Sequence, residues 1–263
     1  MSSRCHSLSA LLLCAAACFG ADGRVLRVCA DPDNMPFSNR NAEGFENRLA
    51  ELMAKEVGAR VEYAWWPEKM GFVRKSLNAG MCDVIMGVPS TIGNAAPTRP
   101  YYRSTYVFVS RGSGIARIDD PRLAQMKIAM PMVGDDYAPP SHVLARRGLS
   151  GNVVGYSGYD NRAIANAVAS GAVDVAVMWG PFAGWYAKGL DVRMMTPPSY
   201  FGVPFTFEIS MAVRKQDDAL RAELDRAIGA KCEAIQKLLD GYRVPREGKT
   251  ICESSSESPS VLH

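Results

Sequence analysis

Histidine is scarce in this chain: three residues in 263. His6 and His263 sit near the ends, so His142 is the one imidazole in the body of the sequence. It stands beside "PPS", a turn-like surface setting, which leaves histidine-based acid–base catalysis with a poor candidate. No serine or cysteine nucleophile has a second catalytic group at sensible spacing. No CxxC pair occurs, which argues against an ordinary structural zinc site. Lysine and arginine never form a run, and the net charge is only +3, which argues against a nucleic-acid partner. Beyond the first 21 residues no apolar stretch reaches the ~20 residues that a membrane helix needs.

What is present is ordinary globular composition, 48% hydrophobic and 22% charged, enough for one large domain or two small ones. The N-terminus reads as a targeting segment. Arg4 and His6 precede "LSALLLCAAACFGA", too short to span a bilayer and followed at once by polar chain. A signal peptide over 1–21, cleaved near Gly20 or Ala21, predicts an exported, soluble, periplasmic protein. "AAAC" ending at Cys18 lacks the usual leucine of a lipoprotein signal. At the other end, "ESSSESPSVLH" is polar and low in complexity, and a disordered tail is expected over 251–263. Of the seven cysteines, Cys5, Cys14 and Cys18 leave with the signal. Cys29, Cys82, Cys232 and Cys252 remain, an even number in an oxidising compartment, with free buried thiols as the alternative.

Between these ends the pattern is α/β. "VLRVCA" (25–30), "RVEYAW" (60–65) and "CDVIMGV" (82–88) read as strands. Apolar residues at Leu49, Leu52, Met53 and Val57, stopped by Gly58, predict a helix from Phe45. "MGFVRKSLNAG" predicts a second helix, ending at Gly80. Strand–helix–strand–helix–strand requires a parallel sheet with crossover helices. The pattern then repeats. Gly80, Asp83 and Val84 match Gly171, Asp174 and Val175, each 91 residues on, and "KIAMPMVGDDYAPP" (127–140) echoes the opening strand and its loop. Two lobes follow: 24–109 with 208–250, and 110–207. "YVFVSR" (106–111) leaves the first lobe and "FEISMAVRKQDDAL" (207–220) returns to it, which makes two crossovers and a hinge.

Ligands of such sheets sit beyond the carboxyl ends of the strands. The segments placed there contain Asp31, Asn34, Phe37 and Ser38, then Pro89, Ser90 and Thr91, then Asp135, Asp136 and Tyr137, and finally Trp179, Phe182 and Trp185. Asp31, Asp135 and Asp136 are the acids that a cleft enzyme of dehydratase type would use; Asx-turns and helix caps explain the same residues without chemistry.

Several long segments carry a resemblance in order: "LRVCADPDNMPFSN", "GFENRLAELMA", "AWWPEKMGFVRKSLNAGMCDVIMGVP", "TRPYYRSTYVFV" and "MAVRKQDDAL". From about residue 25 to 247 the chain resembles the type II periplasmic solute-binding fold, two lobes each with a mostly parallel sheet flanked by helices. It resembles most the MxaJ/XoxJ group, periplasmic proteins associated with quinoprotein (PQQ) methanol dehydrogenases. The resemblance implies a non-catalytic accessory protein with no cofactor or metal of its own. Its partner would be a PQQ-dependent methanol dehydrogenase, with that enzyme's cytochrome c as a further candidate. The alternative partner is the permease of an ABC importer, for which the chain would be the solute-binding subunit. In this fold the first and third strands are neighbours, which favours Cys29–Cys82 and leaves Cys232–Cys252; Cys29 ends one strand while Cys82 begins the other, an offset that a disulfide must bridge.

The chain departs from amino-acid binders at two points. No arginine stands between Val88 and Thr98 to clamp a ligand carboxylate, and Arg99 beside "PYY" reads as structural. Trp179 stands where those relatives carry an acid for the α-amino group. The cleft is thus expected to lack charged clamps and to be aromatic. None of the twenty standard amino acids is expected to raise the melting temperature. A true ligand at a hundredfold excess over its Kd stabilises by about 2.7 kcal/mol; a shift of that size with any of the twenty in a thermal melt would overturn this reading.

Overall fold

The computed structural model describes residues 23–133, 136–158, 160–248 and 251–253. The expected signal segment lies outside them. β1 (Val25–Ala30) is followed by α1 (Phe45–Glu56), β2 (Arg60–Trp65), a single helical turn α2 (Phe72–Lys75) and β3 (Val84–Pro89). A long strand β4 (Tyr102–Ser110) then leads to β5 (Ile128–Val133), α3 (Pro140–Arg146), β6 (Val153–Ser157), α4 (Asn161–Ser170), β7 (Val175–Trp179), α5 (Gly180–Tyr186) and β8 (Asp191–Met194). β9 (Thr206–Val213) precedes α6 (Asp218–Ala230) and α7 (Cys232–Gly241).

The two lobes share one sheet, in the order β6-β5-β7-β4-β9-β3-β1-β2, with β8 also paired to β4. In each lobe the first strand lies between the second and third, all parallel, and an antiparallel strand closes the third: β9 on β3 and β4 on β7. β4 changes partner along its length. Tyr102 to Thr105 pair with β9, while Tyr106 to Ser110 pair with β7.

The internal repeat has a structural cause. Asp83 N–H donates to the Arg27 carbonyl at 2.8 Å while its carboxylate accepts the Arg27 N–H at 3.1 Å. Asp174 does the same with Lys127, at 3.0 and 2.8 Å. Each aspartate thus fastens the entry of its own third strand to the first strand of its lobe. Burial pushes the Asp83 carboxyl up, but hydrogen bonds from Arg27 and Arg214 outweigh it and hold it below the usual carboxylate range.

Helix α1 follows its apolar spacing: Phe45, Leu49, Ala50, Met53 and Ala54 are buried against Val28, Met86 and Met211. Each large side chain so buried contributes roughly 2 kcal/mol. In the second lobe Val175 and Val177 face one core layer, Ala176 and Met178 the other, the period of two of a buried strand. The predicted second helix is corrected to one turn. Gly71 enters it with φ 82°, and Ser76 leaves it by bonding its hydroxyl back to the Phe72 carbonyl, the local competition that serine and asparagine offer to a helix.

Cys29 is joined to Cys82 and Cys232 to Cys252, with Cα–Cα distances of 5.4 and 5.6 Å. The chain bends at Met81 and Asp83, on either side of Cys82 and just before β3 starts. The expected tail is corrected at its start: Ile251–Glu253 forms a 3-10 turn and Cys252 is 1% exposed. Residues 254–263 lie outside the described residues. No described helix is long and apolar enough to cross a membrane.

In the chain-entropy view, a disulfide stabilises more as its loop lengthens. The Cys29–Cys82 loop spans 53 residues and the Cys232–Cys252 loop spans 20. Replacing both cysteines of the first pair by alanine should cost about 4 kcal/mol, and of the second about 3 kcal/mol. Urea unfolding of the two double variants checks the order; a larger loss from the shorter loop would contradict it.

Candidate functional site

A cleft of about 440 Å³ opens between the lobes. It lies beyond the carboxyl ends of the parallel strands, where an open α/β sheet binds ligands. The loop after β1 contributes Asp31, Asp33, Asn34 and Phe37, and the end of β3 contributes Gly87, Val88 and Pro89. Trp179 ends β7 and Phe182 lies in α5. The crossing strands supply Tyr102 and Tyr106 from β4 and Phe207 and Ile209 from β9. Glu46, in the first turn of α1, and Glu68, after β2, complete the charged part of the lining.

The loop after β1 is held by its own backbone. The Pro36 and Phe37 carbonyls accept the Phe45 and Glu46 N–H groups at 2.8 and 2.9 Å, so the loop caps α1. Asn47 Oδ1 accepts the Asn39 and Gly44 N–H groups, both at 3.1 Å. Gly44 is required here, because a Cβ would lie 2.0 Å from the Phe37 carbonyl oxygen. Asp31 is a turn residue: its carboxylate accepts the N–H of Asp33 at 2.8 Å and of Glu68 at 2.5 Å.

Of the residues singled out from the sequence, Asp31, Asn34, Phe37, Pro89, Trp179 and Phe182 meet in the cleft. The rest stand elsewhere. Ser38 is buried and donates to the Asp31 carbonyl at 2.8 Å. Ser90 shares a 2.7 Å hydrogen bond with Ser210, and Thr91 is exposed in the loop beyond. Asp136 and Tyr137 form a short strand antiparallel to β5, with Tyr137 37% exposed; Asp135 lies outside the described residues. Trp185 stacks on Tyr242 with ring centroids 5.6 Å apart and carries the Lys188 ammonium 4.6 Å from its ring centroid. His142 is exposed on α3, and Arg99 donates its backbone N–H to Asp225 and its guanidinium to the Cys252 carbonyl.

No arginine or lysine lines the cleft among the described residues, but four carboxylates do. Burial, then repulsion from Asp31, pushes the Glu68 carboxyl up to about 7, while the 2.9 Å hydrogen bond from Asn34 opposes the rise. Burial, then repulsion from Glu68, raises Glu46 well above the carboxylate range. Tyr102, buried behind them, is held neutral by burial and by both glutamates. Trp179 meets Tyr106 and Phe207 edge to face, with centroids 5.3 and 5.9 Å away. Phe37 of the first lobe touches Phe182 of the second edge to face at 5.1 Å, bridging the cleft mouth. No group of three or more His, Cys, Asp or Glu residues among those described is arranged to hold a metal. The lining includes no serine, cysteine or histidine among the described residues; its side chains are mainly rings and carboxylates, which can grip apolar and positively charged groups.

A carboxyl raised on folding binds its proton more tightly in the folded chain than in the unfolded one. Its contribution to stability is fully present below the ordinary glutamate value and is lost as pH rises through about 7. Glu68 is exposed, so solvent screens much of the effect. The urea midpoint should therefore fall between about pH 5 and about pH 8, and fall less in Glu68→Gln. An equal fall in both proteins would clear Glu68 of this role.

Comparison with known proteins gives the same picture. Residues 26–242 match the bacterial extracellular solute-binding proteins, family 3. Protein MoxJ of Methylorubrum extorquens is 28% identical over 247 residues, covering 85% of this chain and 82% of MoxJ. The crystal structure of MxaJ from Methlophaga aminisulfidivorans MPT superposes with a TM-score of 0.75 at 28% identity, over 84% of this chain and 100% of MxaJ. That of the periplasmic binding protein XoxJ from Methylobacterium extorquens AM1 superposes with a TM-score of 0.71 at 34% identity, over 85% of this chain and 100% of XoxJ. With the shared sheet, the paired lobes and the interlobe cleft, these matches show that the chain belongs to the family 3 extracellular solute-binding proteins and, within them, to the MxaJ/XoxJ group.

Proposed function

We propose that the chain is a non-catalytic periplasmic binding protein serving a PQQ-dependent methanol or alcohol dehydrogenase, and that it acts through the interlobe cleft during assembly or activation of that enzyme. The observation that carries the mechanism is the cleft lining: aromatic rings from both lobes, and no arginine among the described residues to take the carboxylate of an amino acid. Large rings of this kind dominate contacts with protein partners. Kinship with MoxJ, MxaJ and XoxJ supports the link to methanol oxidation. A second reading, the solute-binding subunit of an importer, is favoured by the size of the cleft, about 440 Å³, which suits a small molecule.

Mild co-purification from the native periplasm, with mass spectrometry of proteins and small molecules, separates the two. Retention of a quinoprotein dehydrogenase or its cytochrome c is expected; a permease and a stoichiometric solute would favour the importer. Trp179→Ala should weaken the capture. Because Trp179 is only partly buried, its loss should cost less than the ~3–5 kcal/mol of a Trp removed from a packed core. Undiminished capture by that variant would move the partner away from the cleft.

A further inference from the structure

The cleft has an imbalance of charge that neither lobe corrects. Asp31, Asp33, Glu46 and Glu68 line it, and no lysine or arginine lines it with them among the described residues. Asp31 is occupied by backbone N–H groups and Glu68 takes one hydrogen bond from Asn34. The Glu46 carboxylate has neither a hydrogen bond nor an ion pair among the described residues; the residue is half-buried and lines the cleft. Its place is kept open by the sequence: a Cβ on Gly87 would stand 2.1 Å from Glu46 Oε1. A partly buried carboxylate without a partner either keeps its proton or takes a cation, and a cation in the cleft would let it ionise.

The cation is not a metal ion, because the carboxylates do not converge into a ligating group. The other walls are rings, among them Phe37, Tyr106, Trp179, Phe182 and Phe207. Aromatic faces attract ammonium groups and pack against the carbon attached to them. We propose that the cleft binds an organic cation, a protonated alkylamine, with its ammonium against Glu46 and Glu68 and its carbon body on the aromatic wall. The inference rests on the cleft being the working site of the proposed function, and it names the chemistry of what enters. A free amine and a lysine side chain of a partner protein present the same group.

The ammonium favours the ionised form of both glutamates, whose carboxyls are otherwise raised, so binding releases protons, those of Glu68 near neutral pH.

The test is calorimetric titration of the purified protein with butylammonium, N-acetyl-lysine methylamide, 1-butanol and butyrate. At least one amine should bind, with 1-butanol and butyrate weaker by roughly tenfold or more, the usual scale for a charge-assisted contact. Heats measured in buffers of different ionisation enthalpy should show protons leaving the protein. Glu46→Gln and Glu68→Gln, which keep the shape of the site, should each weaken the amine by roughly tenfold while leaving thermal unfolding cooperative. Tighter binding of butylammonium points to a free amine, and tighter binding of the lysine derivative to a partner's side chain; either supports the inference. It is overturned if neither amine binds, if 1-butanol binds as well as the amines, or if both glutamine variants bind like wild type. Dehydrogenase capture that persists without amine binding would sink this inference and leave the proposed function standing. Amine binding without capture would do the reverse.

Discussion

The antiparallel pairing of β4 with β9 is the constraint on which the molecule depends. Both strands cross between the lobes, side by side, and their ladder runs from Thr105↔Thr206 to Tyr102↔Ile209. Beyond that ladder each strand serves a different sheet half, β4 with β7 and β9 with β3. One hydrogen-bonded ribbon therefore sets the spacing of two otherwise separate α/β units. It also sets the back of the cleft, because Tyr102, Tyr106, Phe207 and Ile209 project from it. A change in ribbon twist would reach Trp179 directly, since that ring rests on Tyr106 and Phe207.

The cleft joins two environments that seldom share a wall. Rings supply an apolar, polarisable surface, and the acids supply field. Burial first, then repulsion among the carboxylates, raises Glu46 well above the ordinary range and Glu68 to about 7. The aromatic bridge between Phe37 and Phe182 contributes only about 1 kcal/mol. Such a contact can keep the lobes together at rest without preventing them from parting.

Much of the fold was legible. β1, β2 and α1 begin and end where their periodicity changes, and the Gly-x-x-Asp-Val echo marked two equivalent strand entries because each aspartate makes the same backbone exchange. The site was legible only where one loop follows one strand, as at Asp31 to Phe37. Glu46 reads in the sequence as an ordinary acid in a first helical turn, favoured there by the helix dipole. Glu68, in "WWPEKM", reads as a solvated loop charge. They meet only because the sheet folds segments far apart in the chain onto one edge. Gly87 was the available signal: an isolated glycine within a strand pattern marks a close approach, and here the approaching group is the Glu46 carboxylate. Trp185, a tryptophan after a strand, reads as a rim residue in the sequence; the helix turns it toward Tyr242 and away from the cleft lining.

The order of strands in the shared sheet also sets an order of completion for a chain that emerges from a ribosome or a translocation channel N-terminus first. β1, β2 and β3 appear early, but the partner of β3 is β9, which arrives only after the whole second lobe has been released. The lobe begun first is finished last. Until then β3 presents an unpaired edge, the kind that recruits neighbouring chains. Cys29 and Cys82 both lie in the early part, so an oxidising compartment can tie β1 to the entry of β3 before β9 appears. That crosslink acts as a temporary clamp on a half-built sheet, and its value during synthesis is separate from its value in the finished protein.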